Sequence, residues 1–395
     1  MRKVYLDNAA TTPLLPEVRE AMLPFLGEAL GNPSSLHEWG DVARQAVDAS
    51  REQVAQLIGG NAEEISFTGS GTESNNFAVK GLALAQQSKG KHVVVSAIEH
   101  FSVLHSARTL EKWGFGVTEV PVDKYGAVNP DDVRESIRKD TILISVMHAN
   151  GEVGTIEPIK EIAQIAKENK IVFHTDAIAA TGRIPVDVKE LGVDALSLAG
   201  NQFYGPKGVG ALWVRRGVRI MPLLDGGVQE GGRRAGTENV PAIVGLGKAA
   251  ELAKSNMAVR MKQLTPLRDR LLKELPAKIE HVIVTGHPQN RLPGHASFCV
   301  EFIEGESMLM FLNMEGVAIS SGSACTSRAL KASHVLIAMG ISHELAQGSL
   351  LCTFGLDSTN EDVDYVLNVL PPIVDRLRQM SPLYSKFIKA SKGGK

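Results

Sequence analysis

Short β-branched and apolar runs alternate with longer segments of helical periodicity along the first two thirds of the chain. The predicted strands are residues 64–68, 92–96, 117–121, 142–147, 171–174 and 211–214. The predicted helices are residues 75–86, 158–169 and 241–272. Such regular alternation is typical of a mostly parallel sheet whose strands are connected by helices. The sequence therefore predicts an α/β fold with a large, mostly parallel-sheet domain.

The last third of the chain has a different pattern. Short strands are predicted around residues 281–284 and 296–301, and helices near 307–314 and 361–380, without further βα alternation. This favours a smaller C-terminal α+β domain. The predicted segments are an N-terminal arm (1–15), a large α/β domain (16–255), a small α+β domain carrying Cys325 (256–390) and a disordered Lys/Gly/Ser tail (391–395).

Charge and hydrophobicity exclude several function classes. The chain has 395 residues, 42 Lys and Arg against 44 Asp and Glu, and a formal net charge of −2. This balance gives no electrostatic reason to bind nucleic acid or an acidic membrane surface. No apolar stretch is long enough to span a bilayer, and residues 1–8 lack the profile of a signal peptide. We therefore expect a cytoplasmic protein that binds neither nucleic acid nor membrane.

Three polar features point to a ligand site at the carboxyl edge of the predicted sheet. Residues 68–73 (Thr-Gly-Ser-Gly-Thr-Glu) link a strand to a helix, where backbone N–H groups suit a phosphate. Asp176 and His100 each follow a strand, and ligands of α/β proteins bind at this edge. A carboxylate there could pair with the protonated ring nitrogen of a pyridoxal cofactor, and an imidazole could stack on the ring. A turn or histidine of this kind can also be purely structural.

The three cysteines have different surroundings. Cys325 lies in a run of small polar residues, 320–327, which predicts an exposed, mobile loop and an accessible thiol. Cys299 and Cys352 lie in apolar strand patterns and are predicted to be small core residues. An odd number of cysteines without CxxC spacing argues against structural disulfides.

Motifs along nearly the whole chain resemble those of cysteine desulfurases of the iron–sulfur-assembly type. They are Tyr5-Leu6-Asp7-Asn8-Ala9-Ala10-Thr11-Thr12, Gly31-Asn32-Pro33-Ser34-Ser35, Thr72-Glu73-Ser74-Asn75-Asn76, Tyr204-Gly205-Pro206-Lys207-Gly208, Gly322-Ser323-Ala324-Cys325 and Ser381-Pro382-Leu383-Tyr384. The resemblance implies the fold type I aminotransferase architecture, a homodimer and pyridoxal phosphate as cofactor. The cofactor contacts that it implies are Gly71, Thr72, His100, Asp176 and Thr237. It further implies that Cys325 carries a persulfide and passes the sulfur to an iron–sulfur scaffold protein.

At five positions the chain departs from the family pattern. Where the family has the lysine that binds the cofactor covalently, this chain has Gln202, and an amide cannot form that bond. A nearby serine is replaced by Ala199, and two polar cofactor neighbours are replaced by Gly151 and Ala179. The arginine that holds the substrate carboxylate is replaced by Leu351, which removes a bidentate clamp.

These departures leave several functions open. The first hypothesis is a desulfurase-family protein of iron–sulfur cluster assembly that supplies the Cys325 thiol, for sulfur transfer or as a cluster ligand shared with a scaffold protein. Its sulfur would come from sulfide or another donor. The second is an active desulfurase that holds pyridoxal phosphate noncovalently. The third is a regulatory subunit of an intact paralogue. An engineered Gln202 would not explain Gly151, Ala179 and Leu351.

Overall fold

The structure, a computed structural model, describes residues 2–322 and 332–393. Its strands are β1 Val4–Tyr5, β2 Ile65–Thr68, β3 His92–Ser96, β4 Gly116–Val120, β5 Thr141–Ser145, β6 Val172–Asp176, β7 Ala195–Ala199, β8 Gly210–Val214, β9 Val282–Thr285, β10 His295–Val300, β11 Val317–Ala318 and β12 Ser349–Thr353. Its α-helices are α1 Pro16–Met22, α2 Glu38–Leu57, α3 Gly71–Asn76, α4 Leu82–Gln86, α5 Phe101–Lys112, α6 Pro130–Glu135, α7 Ile159–Glu168, α8 Val188–Leu191, α9 Val240–Lys278, α10 Gly305–Met314, α11 His334–Ala338, α12 His343–Ala346, α13 Asn360–Met380 and α14 Pro382–Gly393.

A seven-stranded sheet forms the centre of the large domain, in the order β2-β8-β7-β6-β5-β3-β4. Strands β4, β3, β5, β6 and β7 pair in parallel, whereas β8 pairs antiparallel with both β7 and β2. The predicted mostly parallel sheet is confirmed. Strand β7 was not predicted, because its sequence Ala-Leu-Ser-Leu-Ala contains no β-branched residue and gives a weak strand signal.

Two smaller sheets organise the C-terminal part. Strands β12, β10 and β9 form an antiparallel sheet, and β1 of the N-terminal arm pairs in parallel with β11. Helix α9 connects the two parts: Ile243 and Leu246 pack in the core of the large sheet, and Leu267 and Leu271 pack in the core of the small one. The predicted boundary between the large and small domains, at residues 255 and 256, lies inside α9, which is continuous there. The boundary therefore remains a prediction.

The C-terminal tail was predicted to be disordered over residues 391–395. Helix α14 spans Pro382–Gly393, and residues 394–395 lie outside the described part of the chain. The disordered tail therefore remains a prediction. Among the described residues, no helix is both long and apolar enough to cross a membrane.

A buried carboxyl, Glu157, makes the stability of this fold depend on pH. Its Oε2 accepts a hydrogen bond from the Val128 N–H at 2.8 Å, and burial raises its pKa from about 4.5 to about 8. Above pH 4.5 the unfolded chain releases this proton while the folded chain keeps it, so stability falls as pH rises towards 8.

We expect Glu157→Gln to remove this loss, because glutamine keeps the acceptor for Val128 and cannot ionise. The variant should gain about 4 kcal/mol of unfolding free energy at pH 8 and little at pH 4.5. Urea unfolding at several pH values measures this gain. Glu161→Gln, which changes an exposed carboxylate of α7, is the matched control and should unfold like the wild type. Parallel pH curves for the wild type and Glu157→Gln would contradict the assignment.

Candidate active site

A cavity of about 510 Å³ opens at the carboxyl edge of the large sheet. Its wall contains Asp176 from the end of β6, His100 from the turn after β3, and residues 149–152 from the loop after β5. Residues 201 and 202 follow β7 and complete the floor with the N-terminal arm. Residues at or just after the ends of β3, β5, β6 and β7 line this cavity, and this edge of the sheet is where ligands bind in α/β proteins. His100 and Asp176, both predicted at this edge of the sheet, thus line the same cavity.

The start of α3 forms one side of the cavity. Ser70 caps the helix, its Oγ accepting a hydrogen bond from the Glu73 N–H at 3.1 Å, and Gly71 and Thr72 line the cavity. A Cβ on Gly71 would lie 2.4 Å from Ile178 Cδ1, so a larger residue here would require the Ile178 side chain to shift. Free N–H groups at a helix start attract anions, and phosphate binding by this segment remains a prediction.

A hydrogen-bond chain connects Asp176 to His100. Asn75 Nδ2 donates to Asp176 Oδ2 at 2.6 Å and to Ser102 Oγ at 2.8 Å, and Ser102 Oγ lies 2.7 Å from His100 Nδ1. Since the Ser102 N–H also donates to Nδ1 at 3.1 Å, a neutral His100 carries its proton on Nε2. Burial raises the pKa of Asp176, while the Ile178 N–H, the nearby His100 and Asn75 oppose that rise. The chain fixes both side chains at the cavity wall.

Two further carboxyls face the cavity and were missed by sequence reasoning. Glu99 is fully buried, accepts hydrogen bonds from Ser96 Oγ and the Met147 N–H at 2.6 Å each, and has its pKa raised well above the ordinary range by burial. Desolvation raises the pKa of Glu152 to about 7, and its Oε2 accepts from Ser333 Oγ at 2.5 Å. These pKa shifts arise from tertiary burial, which no local sequence pattern encodes.

Gln202 is held by hydrogen bonds to its neighbours. Its Oε1 accepts from Arg183 Nη2 at 2.9 Å, and its Nε2 donates to the Ala9 carbonyl at 2.8 Å. Arg183 Nη2 also donates to the Asn8 carbonyl at 2.6 Å. The amide of Gln202 therefore ties the N-terminal arm to the large domain.

The other positions singled out from the sequence lie on the same wall. They are Gly151, Ala179, Ala199 and Leu351. Gly151 and Ala179 are neighbours, because a Cβ on the glycine would lie 3.8 Å from that of the alanine. Among the described lining residues there is no lysine or arginine, and Lys207 is exposed outside the cavity.

Comparison with known proteins identifies the family. Residues 4–366 match the model of the family described as aminotransferase class-V. The chain is 54% identical over 385 residues to the cysteine desulfurase IscS of Methanosarcina thermophila, covering 98% of this chain and 95% of that protein. It is also 54% identical to the cysteine desulfurase IscS of Dictyoglomus turgidum, covering 96% and 97%. A solved structure titled NifS-like protein has a TM-score of 0.89 at 36% identity, covering 95% of this chain and 100% of that one.

The chain belongs to the cysteine desulfurases of the class-V aminotransferase family. Its fold is the pyridoxal-phosphate-dependent fold of that family, and pyridoxal phosphate is the family's cofactor. The cavity offers this group a carboxylate, a helix start and an imidazole. It offers no amine from the described lining residues.

The position of Thr237 in this desulfurase-family chain differs from that of the other predicted contacts. It lines a separate cavity of about 160 Å³ together with Glu230 and Arg234. Arg234 is paired with Glu73 at 2.9 Å, and Glu230 is paired with Arg51 at 2.7 Å. Within one chain the structure does not bring Thr237 to the cavity of Thr72 and Asp176, so its contact with the cofactor remains a prediction.

Sequence reasoning made two predictions for the cysteines. Cys299 and Cys352 are fully buried in β10 and β12, and burial raises the pKa of each thiol to about 12, which confirms them as core residues. Cys325, predicted as the catalytic and metal-ligating thiol on a mobile loop, lies outside the described residues. In the described ranges no group of three or more His, Cys, Asp or Glu side chains is arranged to hold a metal ion.

Proposed function

We propose that this protein acts in iron–sulfur cluster assembly by supplying the Cys325 thiol to a scaffold protein, for sulfur transfer or as a ligand of the cluster under construction. In this proposal the chain has little desulfurase activity of its own. The observation that carries it is the cavity wall: its described residues include Gln202 and Leu351 and lack any lysine or arginine. Desulfurase chemistry needs an amine for the cofactor and a cation for the substrate carboxylate. The chain would act as a homodimer in the cytoplasm.

The remaining residues of the cavity support noncovalent binding of pyridoxal phosphate. Asp176 would pair with the ring nitrogen, residues 70–72 would hold the phosphate, and His100 would lie against the ring. When bound, this group supplies an electron sink for bonds at the substrate α-carbon. Asn75 and Ser102 would hold Asp176 and His100 in place through the hydrogen bonds described above.

A second candidate function is an active cysteine desulfurase that works with noncovalent cofactor. Two observations favour it: the curated relatives of 54% identity are named cysteine desulfurases, and the Asp176–Asn75–Ser102–His100 chain is complete. Sulfide release from cysteine in the presence of excess pyridoxal phosphate separates the two functions. Release that depends on Asp176 would support the second, and its absence in a folded protein supports the first.

We expect wild-type protein mixed with excess pyridoxal phosphate to form no covalent link to it. Gln202 has no amine, and the described cavity wall contains no lysine. After gel filtration and before reduction, absorbance should show no band near the visible edge, and after borohydride treatment mass spectrometry should find no cofactor on residue 202. A reducible adduct on any lysine of the cavity would contradict this assignment.

A further inference from the structure

A second, much smaller cavity lies beneath the candidate active site, where the N-terminal arm, the large sheet domain and the small antiparallel sheet meet. Its volume is about 20 Å³. Its wall contains Arg183 from the large domain, Arg260 from α9 and His295 from β10. None of the described residues lining it is acidic. We name it the junction cavity.

Arg260 has unused hydrogen-bond donors at this cavity. Its side chain is only 4% exposed, and its Nε and Nη1 have no hydrogen-bond partner in the described part of the chain. Its guanidinium lies over the Tyr204 ring, 5.1 Å from the ring centroid. This cation–π contact involves the flat face of the guanidinium and gives its N–H donors no acceptor. Leaving a buried charged donor unpaired is costly, so a partner within the cavity is expected.

The neighbouring polar groups do not supply that partner. Asn8 Nδ2 donates to the Thr353 carbonyl at 2.8 Å, and Thr12 Oγ1 donates to the Asn201 carbonyl at 3.0 Å. Tyr204 Oη accepts from the Leu356 N–H at 2.9 Å, and burial raises the pKa of this phenol, so it remains neutral. These three side chains are therefore engaged by the backbone, whereas neither ring nitrogen of His295 has a hydrogen-bond partner in the described part of the chain.

The positive charge around the junction cavity is not compensated by a carboxylate. Burial lowers the pKa of Arg183 to about 10 and also lowers the pKa of Arg260, yet both remain protonated at neutral pH. Burial, with the charges of Arg183, Arg291 and Arg268, moves the pKa of His295 well below its ordinary value, so its ring is neutral and its N–H can donate. A water molecule could accept hydrogen bonds here but would leave two guanidinium charges uncompensated.

We propose that the junction cavity is a binding site for one small monovalent anion, of the size and charge of chloride, held by Arg260 and Arg183. The volume admits a sphere about the size of a water molecule or a halide and excludes sulfate, phosphate and carboxylates. Bound there, the anion stabilises the contact between the two parts of the chain. Since Arg183 also donates to Gln202 Oε1, the site lies one side chain away from the floor of the larger cavity.

The test compares thermal unfolding in sodium chloride and in sodium gluconate at equal ionic strength, because gluconate is too large for the junction cavity. We expect the wild type to melt about 2 to 4 °C higher in chloride. Arg260→Met keeps much of the side-chain volume and removes the charge, so it should lose this difference. Arg378→Gln is the matched control: Arg378 is also 4% exposed, but its Nη2 donates to the Glu280 carbonyl at 2.7 Å. This control should keep the chloride effect.

A wild type with equal melting temperatures in the two salts would overturn the proposal. So would a chloride effect of equal size in Arg260→Met. If Arg260→Met does not fold, wild-type crystals grown from sodium bromide decide the question. An anomalous bromide peak beside Arg260 supports the anion site, and density for water alone at full bromide exchange overturns it.

Discussion

Gln202→Lys is expected to give this chain a covalently held pyridoxal phosphate while leaving sulfide release from cysteine low. The variant should show a new absorbance band near the visible edge. Borohydride should then fix one cofactor on residue 202, detectable by mass spectrometry of the peptide. The wild type treated in the same way should give neither signal.

The surroundings of residue 202 favour attachment. Gln202 Oε1 lies 2.9 Å from Arg183 Nη2, so a lysine ammonium at this place would meet a like charge in a partly buried position. Both effects lower the pKa of a lysine and increase the fraction of neutral amine that can react. Asp176 and residues 70–72 are already present to bind the ring nitrogen and the phosphate.

Turnover needs a further group that Gln202→Lys does not restore. Leu351, 3% exposed in β12, lines the cavity where the substrate carboxylate would need a cation, and an aliphatic side chain cannot orient it. We expect Gln202→Lys to release sulfide about 100-fold more slowly than Gln202→Lys with Leu351→Arg, the loss typical of a poorly positioned substrate.

Two controls make this experiment specific. Asn201→Lys places a lysine one residue away on the same cavity wall, so it tests whether any amine there would react. Gln202→Met removes the hydrogen bonds to Arg183 and Ala9 without adding an amine. It therefore measures the effect of losing the contact between residue 202 and the N-terminal arm. Equal sulfide release from the single and the double variant would show that Leu351 does not limit turnover.

The sequence predicted the architecture better than the site. Strong β-branched runs predicted β2 to β6 and β8, whereas β7 was missed because its side chains are small or unbranched. Strand ends predicted that His100 and Asp176 would meet, because the carboxyl ends of parallel strands lie at one edge. The link between them through Asn75 and Ser102 was not predicted, since those residues lie in different helices and meet only in the folded chain. The location of Thr237 was also not predictable, because its position in the sequence did not reveal that it lines a different cavity.

Buried ionisable groups were the least predictable feature. Glu99, Glu157 and Arg260 look like ordinary charged residues in the sequence, and their behaviour follows from desolvation by distant elements. That Gln202 and Leu351 depart from the family pattern remains a prediction from the sequence. Their common location on one cavity wall required the fold.

The Cys325 thiol is expected to be essential for cluster assembly and dispensable for folding. If the protein works through this thiol, Cys325→Ser should abolish or destabilise a cluster assembled with the scaffold protein, iron and sulfide under anaerobic conditions. Serine is a harder and poorer ligand for iron–sulfur centres than a thiolate. The melting temperature and dimerisation of this variant should match those of the wild type, because a residue among small polar neighbours supports little core.

Cys299→Ser and Cys352→Ser are the matched controls and should have the opposite effect. Both side chains are fully buried, and their strands pair directly, Cys299 opposite Ser349 and Cys352 opposite Ala296. A hydroxyl in this interior costs about 1 to 3 kcal/mol of unfolding free energy unless it finds a hydrogen-bond partner. Burial raises the pKa of both thiols to about 12, so neither supplies a thiolate at neutral pH. The two variants should therefore have lower melting temperatures than the wild type and should still yield clusters at temperatures where they are folded.

Equal cluster absorbance from Cys325→Ser and the wild type would remove the proposed role of Cys325 and leave the chain as a structural or regulatory relative of the desulfurases.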